Sequence, residues 1–104
     1  MIRRYDVFPN PIRAGRADKP YLICLQHHFL EHLGSRIMAS LVRKRAIETQ
    51  WRLYPPMNLL DQTFYFDPTD LSTIPTRFLK TPIANLEAES FRIAAALDLV
   101  FTGV

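Results

Sequence analysis

The last stretch of the chain, Ser90 to Val104, has the clearest pattern of apolar and polar positions. We set these residues at about 100° per residue, as in an α-helix. The inner, apolar face then comprises Ile93, Ala96, Leu97, Val100 and Phe101, with Ala94 beside them. The outer face comprises Phe91, Ala95, Asp98 and Thr102. The pattern predicts a C-terminal amphipathic helix whose inner face covers a core.

Upstream of this helix, short β-favouring segments are separated by prolines, 8 in all, which would interrupt long helices. Strands or extended pieces are predicted at residues 2–8, 21–26, 50–54, 57–60, 63–66 and 77–80. Residues 36–43 fit a strand or a helix on periodicity alone, and residues 67–75 are rich in turn formers. The fold class expected is mainly β, a small barrel or rolled antiparallel sheet with one helix packed on it.

The composition is that of a small globular protein. The 104 residues are enough for one domain, 1–104, and the hydrophobic fraction is 48%. A single cysteine, Cys24, cannot form an intrachain disulfide and favours a reducing compartment. There is no signal-peptide pattern and no apolar run of about 20 residues, so we expect a cytoplasmic protein without membrane contact.

Three histidines, His27, His28 and His32, lie in a segment that fits a helical turn or an irregular loop. If it were helical, His28 and His32 could share a face and bind zinc. The HExxH order is absent and no third ligand is obvious. We therefore expect surface histidines, with no metal site and no cofactor.

Other chemistry-bearing residues have structural interpretations. Cys24 lies in an apolar strand, where a buried, inert thiol is expected. The carboxylates near predicted turns fit turn formation better than acid–base catalysis, and they are Asp61, Asp67 and Asp70. The aromatic residues of the middle of the chain are expected mostly in the core, and they are Trp51, Tyr54, Phe64, Tyr65 and Phe66.

The net charge is only +3, and the basic residues allow two interpretations. The run Arg43-Lys44-Arg45, with Arg13, Arg16 and Arg36 elsewhere, fits a solvated face or a surface for an anionic partner. No catalytic constellation emerges. From the residues alone, the chain is expected to be a small binding or interaction module.

The order of three short segments is more specific. Residues 53–55, LYP, are similar to a Leu-Tyr-Pro motif, and residues 69–75, TDLSTIP, are similar to Thr-Asp-Met-Ala-Ser-Val-Pro. Residues 95–104, AALDLVFTGV, are similar to Asn-Ala-Ile-Asn-Leu-Met-Phe-Trp-Gly-Ile. These are motifs of the CcdB family of toxins from bacterial type II toxin–antitoxin modules, which the chain resembles over nearly its whole length.

The resemblance implies an SH3-like barrel of the CcdB/MazF type, with a main antiparallel sheet, a small accessory sheet and a long C-terminal helix. It implies a homodimer that binds the GyrA subunit of DNA gyrase and traps the complex with cleaved DNA. The protein would then act by binding rather than as an enzyme, and would meet nucleic acid only through gyrase. A cognate, CcdA-like antitoxin would neutralise it by wrapping a disordered tail around the dimer.

Matched position by position, the gyrase-binding residues implied by the resemblance are Phe29, Leu30, Asp98, Phe101, Thr102, Gly103 and Val104. Phe101 and Gly103 match the family pattern, Val104 replaces Ile, and Phe29 and Leu30 replace a pair of isoleucines. Two further departures matter more. Thr102 stands where the family has Trp, and Asp98 where it has Asn. Since truncating an interfacial Trp can cost about 2–4 kcal/mol, the hypothesis is a weakened or altered gyrase activity.

Two other functions remain open at this point. The first is an endoribonuclease of the MazF type on the same barrel, which the basic residues would suit. The second is a non-toxic protein that binds an antitoxin.

Overall fold

Over residues 1–43 and 50–104, which the computed structural model describes, the chain forms an antiparallel sheet followed by an α-helix. The strands are β1 Asp6–Pro9, β2 Tyr21–Cys24, β3 Ser35–Val42, β4 Pro56–Leu59, β5 Gln62–Pro75 and β6 Ala84–Asn85. The helix, α1, is Ser90–Thr102. Single 3₁₀ turns occur at Arg13–Gly15, His28–Leu30, Thr76–Phe78 and Glu87–Glu89.

The six strands are hydrogen-bonded in the order β4-β5-β3-β2-β1-β6, and every neighbouring pair is antiparallel. The sheet curls into a nearly closed barrel with the helix packed on it, which confirms the predicted fold class. Among the described residues there is no separate accessory sheet of the kind that the resemblance implies. β4 joins the main sheet instead, through the long strand β5.

Alternating residues of the central strands enter two hydrophobic clusters on opposite faces of the sheet. Val7 and Ile23 belong to the cluster beneath the helix, whereas their neighbours Phe8 and Leu22 belong to the other. All four are buried. Because both faces of the central strands are covered, their sequences are continuous apolar runs. This is why periodicity could not distinguish strand from helix at residues 36–43, which form β3.

The turn-rich segment at residues 67–75 lies in β5, so its prediction as a turn is wrong. Asp67 pairs with Ser40, but the next pair along β3 is Ala39 with Leu71. The residues between Asp67 and Leu71 therefore form a bulge, and Pro68 lies in it, where its missing N–H group removes no ladder hydrogen bond. The turn-forming residues make the bulge, but the pairing of β5 with β3 continues on the other side of it.

Two predicted extended pieces contain turns in the structure, although Leu79 in the second is extended. In residues 50–54, two backbone N–H groups donate to the carbonyl oxygen of Gln50 at 3.1 and 2.8 Å, which closes a turn before the two prolines. Residues 77–80 begin inside the 3₁₀ turn Thr76–Phe78. Both segments are short, and neither pairs with a strand among the described residues, so the β-favouring composition does not decide their conformation.

Helix α1 is anchored by its first half. Ile93 and Ala96 are fully buried in the cluster beneath the helix, and Leu97 is half-buried. Val100 and Phe101 were predicted on the covered face, but they are 38% and 69% exposed. The prediction fails because the helix extends beyond the hydrophobic core, so Val100 and Phe101 in its last turn have no core residues to pack against.

We expect the substitution Ile93→Ala to lower the free energy of unfolding by about 2–5 kcal/mol, because it leaves a cavity between helix and sheet. The matched change Val100→Ala, on the same helix but exposed, should lower it by about 0.5 kcal/mol or less. Urea unfolding followed by circular dichroism measures both. Equal losses from the two variants would show that the helix is not anchored at Ile93.

Candidate functional site

The end of α1 is fixed by hydrogen bonds of its own backbone. Gly103 has a φ of 81°, a left-handed conformation that favours glycine, and its N–H group donates to the carbonyls of Asp98 and Leu99, each at 3.2 Å. The Thr102 hydroxyl donates to the Asp98 carbonyl oxygen at 2.8 Å. The hydroxyl thus already donates a hydrogen bond within the helix. The conformation of Gly103 sets the direction in which Val104 leaves the helix.

Large apolar side chains on the outer face of α1 and at its end are not covered. Phe101 is 69% and Val104 81% exposed, and Phe91 on the outer face is 85% exposed. An isolated exposed apolar residue is common, but several together mark an interaction surface. The exposure therefore points to the outer face and tail of α1 as the candidate functional site.

An open groove of about 410 Å³ runs beside this face, between α1 and residues 51–56. Trp51, Pro55 and Pro56 line one side, and Phe91 and Leu99 line the other, with Val104 at the end. Trp51 was predicted in the core, but it is 68% exposed because residues 50–54 form a turn outside the sheet. We call this feature the helix groove.

Hydrogen bonds from Arg92 link the two sides of the helix groove. Its guanidinium donates to a Glu89 carboxylate oxygen and to the Pro56 carbonyl oxygen, both at 2.8 Å. The hydrogen bond to Pro56 joins the first turns of α1 to the segment that carries Trp51. The groove was not predicted from the sequence, although Phe91, an aromatic residue on the predicted outer face, was a usable signal for it.

The other two implied site residues, Phe29 and Leu30, lie in the 3₁₀ turn after β2. The His27 Nδ1 atom accepts a hydrogen bond from the Phe29 N–H group at 3.0 Å, and Phe29 is 69% exposed. His27 and His28 line a polar groove together with Glu87, the first residue of the 3₁₀ turn that leads into α1. The turn after β2 therefore lies near the beginning of the helix.

The structure consequently divides the implied gyrase-binding residues into two groups. Asp98 and the residues from Phe101 to Val104 lie together at the end of α1. Phe29 and Leu30 lie near its other end, and α1 is about 18 Å long at 1.5 Å per residue. Within one chain, the two groups do not form one continuous surface.

A family model described as CcdB protein matches residues 4–103, which is nearly the whole chain. The chain belongs to the CcdB family. It is thus a toxin-family member of the toxin–antitoxin type, as the sequence motifs indicated. No curated protein sequence matches the chain.

Solved structures with the same fold include two mycobacterial endoribonucleases. One, in complex with its cognate antitoxin, has a TM-score of 0.74 and 18% identity, covering 94% of this chain and 92% of that chain. The other has a TM-score of 0.70 and 17% identity, covering 93% of this chain and 88% of that chain. At this identity, the similarity shows the shared fold of the CcdB-family chain and these enzymes.

The histidine segment lacks the helix that a zinc site would need. The His27 and His28 rings are stacked with centroids 4.3 Å apart, but the 3₁₀ turn ends at Leu30, before His32. His28 and His32 therefore do not share the face of an α-helix. Among the described residues, no three His, Cys, Asp or Glu side chains are grouped as metal ligands would be.

Two of the three candidate carboxylates, Asp67 and Asp70, are held by separate neighbours. The Asp67 Oδ1 atom accepts hydrogen bonds from the N–H group and the hydroxyl of Thr69, at 3.0 and 2.6 Å. Asp70 accepts from the Ser40 hydroxyl at 2.6 Å and forms an ion pair with Lys19. Asp61 lies in the β4–β5 turn with a φ of 61°. These contacts stabilise the bulge and the turn rather than forming a catalytic pair.

The basic residues that suggested a solvated face or a surface for an anionic partner do not all lie on the surface. Arg36 is only 3% exposed, and its guanidinium donates to the carbonyls of residues 31, 33 and 35 at 3.2, 2.7 and 3.0 Å. It therefore closes the loop before β3. Arg43 donates to the Ala17 carbonyl at 3.1 Å, and Lys44 and Arg45 lie outside the described residues.

Across the described part of the chain, no helix is both long enough and apolar enough to cross a membrane. The cytoplasmic location stays a prediction from the sequence.

Cys24 is fully buried, as predicted, and its thiol donates to the Gln26 carbonyl oxygen at 3.5 Å. Burial raises the pKa of this thiol above its ordinary value, since the thiolate would lose its hydration. The nucleophilic thiolate is therefore disfavoured in the folded protein.

We expect Cys24 in the native protein to react with an aromatic disulfide reagent at least about 100 times more slowly than in denaturant, because both burial and the raised pKa of the thiol suppress attack. The release of the coloured thiol measures the rate. Since the pKa is raised in the folded state, stability should fall as the pH rises above the thiol's ordinary pKa, and a Cys24→Ala variant should lack this component. Equal reaction rates in native and denatured protein would contradict the burial.

Proposed function

We propose that this CcdB-family toxin binds the GyrA subunit of DNA gyrase through the end of α1 and traps the complex with cleaved DNA. The observation that carries the proposal is the apolar helix end, where Phe101 and Val104 stay exposed beyond the core. Family membership supports the choice of target. The mode of action proposed is binding, with Asp98, Thr102 and Gly103 completing the contact.

Phe101 is the best candidate for the aromatic anchor of this interface. Burying an exposed aromatic side chain contributes about 1.5–3 kcal/mol, and interface energy is concentrated in a few such groups. Thr102 offers much less apolar area than the Trp of the family pattern, and its hydroxyl already bonds to the helix. The interface is therefore expected to be weaker than one that carries both aromatic residues.

A homodimer is part of the proposal. Phe29 and Leu30 lie near the beginning of α1 and Phe101 at its end, so one chain presents two separated apolar sites. A second copy placed with its helix near the first would allow the turn of one protomer to extend the surface of the other. Such a dimer is consistent with the implied role of both groups of residues.

A cognate antitoxin is the second proposed partner, with the helix groove as its docking site. The apolar side chains of Trp51, Phe91 and Leu99 suit a segment with apolar anchors. Arg52 also lines the groove and favours an acidic residue beside it, whereas Asp98 on the helix disfavours one. A mycobacterial structure with the same fold contains its cognate antitoxin. An antitoxin bound here would lie against the helix whose end is proposed to contact gyrase.

We expect expression of the protein to arrest growth and the purified protein to inhibit supercoiling by the gyrase of its own host. Phe101→Ser should weaken binding to GyrA about tenfold or more, because it removes the proposed anchor. Ile12→Ser is the matched control, since Ile12 is a similarly exposed apolar residue on the β1–β2 loop, at 52%. Surface plasmon resonance with immobilised GyrA measures both.

An equal effect of the two serine variants would remove the helix end from the interface. If the protein neither binds GyrA nor inhibits gyrase, and instead cleaves a long RNA, the endoribonuclease alternative replaces this proposal. If it leaves both gyrase and RNA unaffected but binds the product of a neighbouring reading frame, it is a non-toxic antitoxin-binding protein.

The substitution Thr102→Trp restores the residue of the family pattern and should increase gyrase inhibition about tenfold, because an indole supplies the apolar area that threonine lacks. Thr102→Val serves as the control, since it removes the hydrogen bond to Asp98 without adding an aromatic ring. The protein concentration that halves supercoiling measures each effect. No gain for Thr102→Trp would show that position 102 does not limit the activity.

A further inference from the structure

A second groove, which we call the basic groove, lies between residues 9–21 and residues 77–83 and has a volume of about 670 Å³. Its charged lining residues are Arg16, Arg77 and Lys80, and none of its described lining residues is a carboxylate. All three cations are exposed. The basic and helix grooves share none of their described lining residues, so they are separate surfaces.

The loop that carries Arg16 is held in place by Asn10, which is only 3% exposed. The Asn10 amide nitrogen donates to the Lys19 carbonyl at 2.8 Å, and its amide oxygen accepts from the Ile12 N–H group at 2.9 Å. The Arg16 Nε atom donates to the Asn10 carbonyl oxygen at 2.6 Å. This bond uses Nε and not the two terminal nitrogens, so the guanidinium is positioned while its end can contact a ligand.

The opposite wall offers a flat aromatic surface beside the charges. Phe78 is 52% exposed, and the Arg77 guanidinium lies over its ring, 4.7 Å from the centroid. Across the groove, Tyr21 is held edge-on against Phe64, with ring centroids 5.3 Å apart. Cations beside an exposed aromatic ring are features with which proteins bind single-stranded nucleic acid.

We propose that the basic groove binds single-stranded nucleic acid. Arg16, Arg77 and Lys80 contact the phosphates, and a base stacks on Phe78. An acidic peptide would satisfy the cations but would not use the flat surface that Phe78 and Arg77 form. The binding is additional to the gyrase contact proposed above and uses a different face of the molecule.

Fluorescence anisotropy with labelled single strands of about eight nucleotides, one of DNA and one of RNA, tests the proposal. The expected dissociation constant is micromolar at about 50 mM salt and rises with salt, with a slope of its logarithm against the logarithm of the salt concentration of about +2 for three phosphate contacts. A duplex of the same sequence and a polyglutamate peptide are measured in parallel. Both should bind at least about tenfold more weakly, because neither presents an unstacked base.

Arg77→Gln and Lys80→Gln should each reduce the salt slope by about 0.7, and Phe78→Leu should raise the dissociation constant about fivefold or more. Arg3→Gln is the matched control, because Arg3 is an exposed arginine that lines a different groove. This variant should bind like the parent chain. Circular dichroism of each variant checks that the fold is retained.

The proposal is overturned if the parent chain does not bind either single strand at about 50 mM salt, or if polyglutamate or the duplex binds as tightly as they do. It is also overturned if Arg77→Gln and Lys80→Gln lose no more affinity than Arg3→Gln. Because the gyrase and antitoxin contacts lie on α1 and the helix groove, failure here leaves those proposals unchanged. Loss of gyrase binding would likewise leave this one unchanged.

Discussion

The burial of Ile93 and Ala96 against the sheet determines how the rest of the molecule is presented. These two side chains fix the first half of α1 over the core, together with Leu97. Because the core ends beneath them, the following turns have no protein surface to pack on. The exposure of Phe101 and Val104 is thus a direct result of where the helix is anchored. Packing at one end of the helix makes the other end available for a partner.

The sheet can support this arrangement because its central strands are buried on both faces. Such a core needs a long partner strand that follows β3 as it curves, and β5 provides it by means of a bulge. Asp67 holds the bulge through its two hydrogen bonds to Thr69. Polar residues that resemble catalytic or turn-forming groups therefore stabilise the curvature of the barrel, which in turn positions the grooves.

The apolar and the cationic recognition surfaces lie in different grooves. The helix groove and the end of α1 are mainly apolar, whereas the basic groove carries three cations and an exposed aromatic ring. Not every arginine that suggested a basic patch in the sequence lies on the surface. Arg36, for example, is buried and bonds to three carbonyls. Charge along the chain is therefore a poor guide to charge on the surface of this small barrel.

The sequence by itself determined the fold class, the terminal helix and the family. A helix with an apolar face is encoded locally by its periodicity, and the family is encoded by short motifs such as TDLSTIP. Those same residues form part of a strand, because pairing with β3 outweighs their turn propensity. Contacts between distant segments decide three further features. They are the face of α1 that remains exposed, the position of Trp51 and the set of cations that come together. Only the tertiary structure decided them, because burial at one position depends on the residues that pack against it.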